Sequence, residues 1–262
     1  MNQDIKLAEI TENLKNLKLS NMLRQMETLL RHARETGMDY ADFLLEATSI
    51  EIDARTSARL ANRIREAHFA MIKPIETFDL QAVPQLDIRL FRELTTCNYI
   101  KECRNIIFSG LSGTGKTHMA TALGLEACKN NFRTRFVTGY SLVNELIEAR
   151  DSRSLQRLLS KYNRYELLII DELGYIPFTR EGAELLFQIL AERHEKRSVI
   201  ITTNLGFADW VKIFGDATMT AAVLDRITHK ARIINCNWPS YRLSESLQQR
   251  KTKSRKEDSE GN

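Results

Sequence analysis

The stretch Asn105-Ile-Ile-Phe-Ser109-Gly110-Leu111-Ser112-Gly113-Thr114-Gly115-Lys116-Thr117 decides how the rest of the chain is read. It opens with an apolar run of strand length. The residues after this run match G-x-x-x-x-G-K-[ST], a pattern that belongs between a strand and a helix. Glycines let such a loop curl so that successive backbone N–H groups point at phosphate oxygens, and a helix starting near Lys116 adds its positive end at the same place. Gly110, Ser112, Gly113, Thr114, Gly115, Lys116, Thr117 and His118 are therefore the expected nucleotide-binding residues. Lys116 is expected on the β and γ phosphates of ATP and Thr117 on Mg²⁺. A glycine-rich turn matching by chance is the competing reading, and the strand before and the helix after weigh against it.

Four further short apolar runs come later in the chain: Thr134-Arg-Phe-Val-Thr138, Leu167-Leu-Ile-Ile-Asp171, Ser198-Val-Ile-Ile-Thr202 and Arg232-Ile-Ile-Asn235. Helical patterns separate them. Strands that alternate with helices and are apolar without alternation predict an α/β fold with a five-stranded parallel sheet covered on both faces. Upstream, Ile10, Leu14, Leu17, Met22, Met26, Leu29 and Leu30 recur at helical intervals. Thr36-Gly37 breaks the pattern, and Asp39 can cap a further helical stretch that reaches His68 or Phe69. Residues 1–70 thus read as a small all-helical domain and 71–85, with Pro74 and Pro84, as a linker. Residues 86–249 form the α/β domain and the polar 250–262 a disordered tail.

The composition allows this plan and excludes others. With 262 residues and 43% hydrophobic content the chain can bury a sizeable core, and its net charge of +4 is too small to identify a nucleic-acid partner by itself. Cys97, Cys103, Cys128 and Cys236 form no CxxC pair and sit among no clustered histidines, so they suggest neither a zinc site nor a disulfide framework and suit a cytoplasmic protein. No run reaches the length of a membrane span.

A second acidic signal completes the nucleotide site. The strand Leu167 to Asp171 ends in Asp171-Glu172, and carbonyl-end placement brings both acids toward the phosphates. Asp171 is expected to hold Mg²⁺ through water, and Glu172 to activate the attacking water, so the pair suits an ATPase. Asn204, after the fourth run, is placed to hydrogen-bond the γ-phosphate or that water, with an ordinary turn asparagine as the alternative. At this point the chain resembles the AAA+ ATPases, in which this polar residue is termed sensor 1.

Two further stretches, Ala222-Val-Leu-Asp225-Arg226-Ile227 and Asn237-Trp238-Pro-Ser-Tyr241-Arg242, resemble the IstB/DnaC branch of that family. Lys73-Pro-Ile-Glu-Thr-Phe78-Asp79 and Leu86-Asp-Ile-Arg-Leu look like the entry to an IstB ATPase domain. The resemblance implies that Arg226 enters a neighbouring subunit's site as a finger and that Arg242 senses nucleotide in its own. Surface ion pairs or packing around Trp238 remain the alternatives. It also implies a P-loop core without a C-terminal helical lid, since few residues lie beyond the fifth run, and a homo-oligomer that helps a transposase encoded by the same element. The branch also contains helicase loaders. A small-molecule kinase is a third reading, disfavoured by Asp171-Glu172 and the late arginines.

For DNA the cations must be located. Arg150, Arg153, Arg157, Lys161 and Arg164 are spaced three, four, four and three apart, so on one continuous helix they form a single basic stripe. In initiator-like relatives an inserted helix at this point faces nucleic acid, which implies duplex binding with little sequence preference. Arg55, Arg59 and Arg63 form a second row in the helical domain. A solvated helix face is the competing reading for each row.

Overall fold

Alternate residues of each apolar run face opposite sides of a sheet, so runs apolar at every position need cover on both faces. The computed structural model describes residues 3–78, 83 and 85–240 and shows both faces covered. The strands β1 (Ile106–Gly110), β2 (Thr134–Thr138), β3 (Leu167–Asp171), β4 (Ser198–Thr203) and β5 (Arg232–Cys236) lie in the order β2-β3-β4-β1-β5, all parallel. One layer buries Ile106, Phe108, Ile169 and Ile200 beneath α4 (Ile88–Thr95), α5 (Asn98–Lys101) and α6 (Lys116–Lys129). The other buries Ile107, Ile170, Val199 and Ile201 beneath α7 (Gly139–Asp151), α8 (Leu155–Asn163), α9 (Arg180–Arg193), α10 (Val211–Phe214) and α11 (Ala217–Thr228). Each such Leu or Ile contributes about 2 kcal/mol by burial.

The strand order positions the site. β4 lies between β1 and β3, with Ile201 aligned to Ile107 on one side and to Ile170 on the other. The carbonyl ends of all three strands therefore open side by side, where ligands of open parallel sheets bind. Strand β1 runs one residue later than the sequence pattern places it. Arg232 at the head of β5 donates its backbone N–H to the Asn105 carbonyl, while the buried Asn105 side chain bridges Val199 and Ile227.

The attachment of α8 and α9 to the sheet rests on Arg193, which is 1% exposed. Its guanidinium donates to the carbonyls of Tyr162, Tyr165 and Ser198 at 2.9–3.0 Å. Burial, with Arg197 adding to it, pulls its pKa down to about 9. The bonds to three carbonyls offset the cost of removing the cation from water.

The chain divides into two compact units, Met1–Asn62 and Arg63–Asn262. The first contains α1 (Gln3–Asn16), α2 (Ser20–Thr36) and most of α3 (Tyr40–Ala67). α3 runs unbroken for 28 residues, and Asp39 caps it by accepting the Asp42 N–H at 2.9 Å. The residue before α2, Leu19, provides no side-chain cap. Glu51 of α3 supplies it instead, accepting the N–H groups of Asn21 and Met22 at 2.9 and 3.1 Å. Burial pushes the Glu51 pKa up, but the donors from Met22, Arg55 and Asn21 outweigh it and hold the carboxyl below its ordinary value. Of the expected linker, residues 79–82 and 84 lie outside the described residues, as does the expected polar tail. Pro74 precedes a short 3₁₀ turn, Ile75–Thr77, and Asp87 caps α4. Among the described residues no helix is long and apolar enough to cross a membrane.

Candidate nucleotide and nucleic-acid sites

The loop from Gly110 to Gly115 takes its shape from backbone conformations that its glycines permit. Gly115 sits at φ +91°, with the Phe78 ring at 2.9 Å from where a Cβ would stand. At Gly110, φ +144°, a Cβ would collide with the Cys236 carbonyl of β5. Any side chain at either position would have to displace a neighbour. Beyond the loop, α6 begins at Lys116, and Lys116 Nζ donates to the Gly110 and Leu111 carbonyls at 2.8 and 2.6 Å. The ammonium thus lies over the loop it is expected to serve.

A cleft of about 380 Å³ opens at this point. Ser112, Gly113, Thr114, Gly115, Lys116, Thr117 and His118 line it together with Glu172, Thr202, Thr203 and Asn204. Thr117 Oγ1 donates to Asp171 Oδ1 at 3.0 Å, so the two groups expected at Mg²⁺ are already in contact. Hard oxygen donors from one hydroxyl and one carboxylate suit a Mg²⁺ that takes its other ligands from phosphate and water. Asp171 is 4% exposed, whereas Glu172 projects into the cleft from a left-handed backbone, φ +55°.

His118 lines the cleft but is held from behind. Its Nε2 lies 3.2 Å from both the Pro74 carbonyl and the Thr77 hydroxyl, and its ring meets Phe78 edge-on at 5.1 Å. Burial lowers its pKa, with Lys73 adding to it, against the opposing effect of the Pro74 contact. In this geometry His118 fastens the Pro74–Phe78 segment to α6. Arg226 is absent from the cleft. Its guanidinium stacks over Phe187 at 4.6 Å and donates to the Ala222 carbonyl at 3.4 Å. Arg242 lies outside the described residues.

The basic residues are placed differently from the sequence expectation of one continuous helix. The helix breaks after Asp151, Arg153 sits in the break at φ +56°, and α8 starts at Leu155. Local chemistry explains the break: the Ser152 hydroxyl donates to the Glu148 carbonyl and the Ser154 N–H reaches back to Ala149, which closes the helix end. Arg150 pairs with Asp151 and Glu181, each at 3.0 Å. Arg157, Lys161 and Arg164 share one groove with Glu145 and Glu148 of α7. The N-terminal row separates as well. Arg55 binds Glu51 and the Lys18 carbonyl at 2.8 and 2.6 Å, Arg59 is exposed, and Arg63 bonds Asn131 and Glu66 within the second unit.

One residue at the centre of the site had no sequence signal of its own. Thr202, 1% exposed, donates to Asp171 Oδ1 at 2.5 Å and accepts the Glu172 N–H at 2.9 Å. It therefore orients one acid and holds the unusual backbone of the other. Only the register of β3 against β4 reveals it.

With the geometry in place, comparison with known proteins is decisive. The family model for IstB-like ATP binding proteins matches residues 12–249. The chain belongs to this family. A relative from insertion sequence IS21 of Pseudomonas aeruginosa is 36% identical over 239 residues, 91% of this chain and 90% of that protein. One from IS5376 of Geobacillus stearothermophilus is 36% identical over 245 residues, 93% of this chain and 98% of that protein. Among solved structures, the DnaC helicase loader is similar with a TM-score of 0.53 at 23% identity, over 62% of this chain and 96% of that one. DnaI gives 0.54 at 20%, over 62% and 89%. These likenesses concern the fold.

Thr202→Val keeps the side-chain shape but leaves the Glu172 N–H without its acceptor and reduces the donors to Asp171 Oδ1 from two hydroxyls to that of Thr117. The unfolding free energy should fall by about 2 kcal/mol in urea denaturation, and Thr202→Ser, which keeps the hydroxyl, should recover most of it. Equal stability of the Val variant and wild type would remove Thr202 from this role.

Proposed function

We propose that this family member is a Mg²⁺-dependent ATPase that assembles on duplex DNA as a homo-oligomer and stimulates the transposase of its own insertion sequence. The observation that carries the ATPase reading is the cleft in which Lys116 and Thr117, the latter bonded to the buried Asp171, share the lining with Glu172 and Asn204. Lys116 would exchange its loop carbonyls for the β and γ phosphates. Thr117 and Asp171 would hold Mg²⁺, which neutralises phosphate charge when bound. Glu172 would take a proton from the water that attacks the γ-phosphorus as the bond to the ADP oxygen breaks, with Asn204 orienting that water. The insertion-sequence relatives favour this reading over a helicase loader, because the likeness to DnaC concerns the fold.

Arg226 would act in trans, since its guanidinium packs on Phe187 rather than entering its own chain's cleft. DNA would follow the groove of Arg157, Lys161 and Arg164, the cations of α8 and its end. Phosphate contacts from such side chains give affinity without sequence preference.

Three outcomes test this. Lys116→Ala should lose tight ATP binding at unchanged folded content, while Glu172→Gln should bind ATP and turn over at least about a hundredfold more slowly, measured by nucleotide titration and phosphate release. Wild-type turnover in Glu172→Gln would assign water activation elsewhere. Mixing Arg226→Ala with Lys116→Ala subunits should restore activity at interfaces that pair an intact pocket with an intact finger, and confirmed mixed assemblies without rescue would exclude trans action. Arg157→Ala with Lys161→Ala should flatten the slope of log affinity against log salt by up to about 1.8 for duplex DNA, with ATP affinity retained. An unchanged slope would move the DNA path elsewhere.

A further inference from the structure

The phosphate loop is held on its β5 side by a segment that no phosphate motif contains. Beyond the Gly110 contact with Cys236, the Leu111 N–H donates to the Cys236 carbonyl at 3.2 Å. Two residues later, Trp238, 2% exposed, donates its indole Nε1–H to the Thr114 carbonyl at 2.9 Å. At Gly113 a Cβ would strike the Ser240 side chain. The loop thus rests against a strip of chain, Cys236 to Ser240, at three successive points.

The Thr114 contact differs in kind from the others. The Thr114 hydroxyl donates to the Leu111 carbonyl at 2.9 Å across the base of the loop, and its own carbonyl is buried against Trp238. The peptide that joins Thr114 to Gly115 carries this carbonyl on one side and the Gly115 N–H on the other. Because a peptide group is planar, fixing its carbonyl outward fixes the N–H inward. Gly115 has positive φ and lacks a Cβ, so its conformation is locally permissive. An external anchor is what selects one orientation.

We infer that Trp238 is a positioning residue for nucleotide binding: its indole N–H locks the Thr114–Gly115 peptide with the N–H turned toward the phosphates. This rests on the ATP-binding reading above and adds a residue outside the loop itself. It implies that Trp238 acts on affinity more than on turnover, because Asp171 and Glu172 are held separately by Thr202. It also makes the indole a direct reporter, since its donor ends on a loop that phosphate must touch.

Trp238→Phe keeps an aromatic ring in most of the same space and removes the donor. In the folded variant ATP binding should weaken and KM rise about tenfold, the loss of one buried hydrogen bond, with kcat within about twofold, and the melting temperature should fall as the Thr114 carbonyl loses its donor. Unchanged affinity in this folded variant overturns the inference, as does a fall in kcat without a change in KM. Should Trp238→Phe fail to fold, the second measurement decides. Trp210, the other tryptophan, is fully buried, with no partner for its Nε1–H among the described residues, so Trp210→Phe leaves Trp238 as the sole tryptophan emitter. Its emission should shift on saturation with ATP and stay constant when Lys116→Ala is added. No shift in Trp210→Phe, with binding shown by calorimetry, overturns the inference. Absence of ATP binding by wild type is the distinct result that would instead remove the function on which it rests.

Discussion

The contact of the Thr202 hydroxyl with Asp171 is the interaction on which the site depends. It exists because β4 is threaded between β1 and β3, which puts the polar end of a central strand against the acid at the end of its neighbour. From Asp171 the same chain of hydrogen bonds passes to Thr117 at the start of α6, and from Thr202 to the backbone of Glu172. The loop side of α6, the Asp171-Glu172 pair and Thr202, which come from three separate parts of the sequence, are thereby given fixed relative positions. Preorganisation of this kind lets binding energy act on the reacting phosphate rather than on assembling the site.

How much of this is legible in the amino-acid sequence depends on how locally each feature is encoded. The phosphate loop is legible because its glycines, lysine and threonine are contiguous and their chemistry is set by the loop itself. The central strands are legible because burial on both faces demands unbroken apolar runs, as in β3 and β4, and β2 and β3 fall where the patterns place them, while the edge strand β5 keeps only Ile234 and Cys236 buried. Thr202 is invisible in Ser198-Val-Ile-Ile-Thr-Thr-Asn204, since a threonine at a strand end is ordinary until Asp171 stands beside it. Trp238 is likewise a buried aromatic until Thr114 is seen at its nitrogen.

The basic rows come apart in space for a related reason. Spacing alone puts Arg150 to Arg164 on one face, but Ser152 and Ser154 offer the backbone local hydrogen bonds that end the helix there. Arg55 looks like a surface cation in a periodic pattern, yet it completes the contact by which Glu51 caps α2. Charge spacing counts cations without showing which have partners.

The two arginine anchors differ in what their acceptors are made of. Arg193 binds backbone carbonyls alone, none of which gains a proton as the medium turns acid, so the joint between α8, α9 and the sheet is indifferent to acidification. Arg55 in the helical unit binds a carboxylate whose folded pKa is depressed below the ordinary 4.5. The stabilisation from Glu51 is fully present above that value and drains away as pH falls through the folded pKa. Acid therefore acts on the two units unequally, loosening the helical one at α2 while this buried clasp in the α/β unit stays closed.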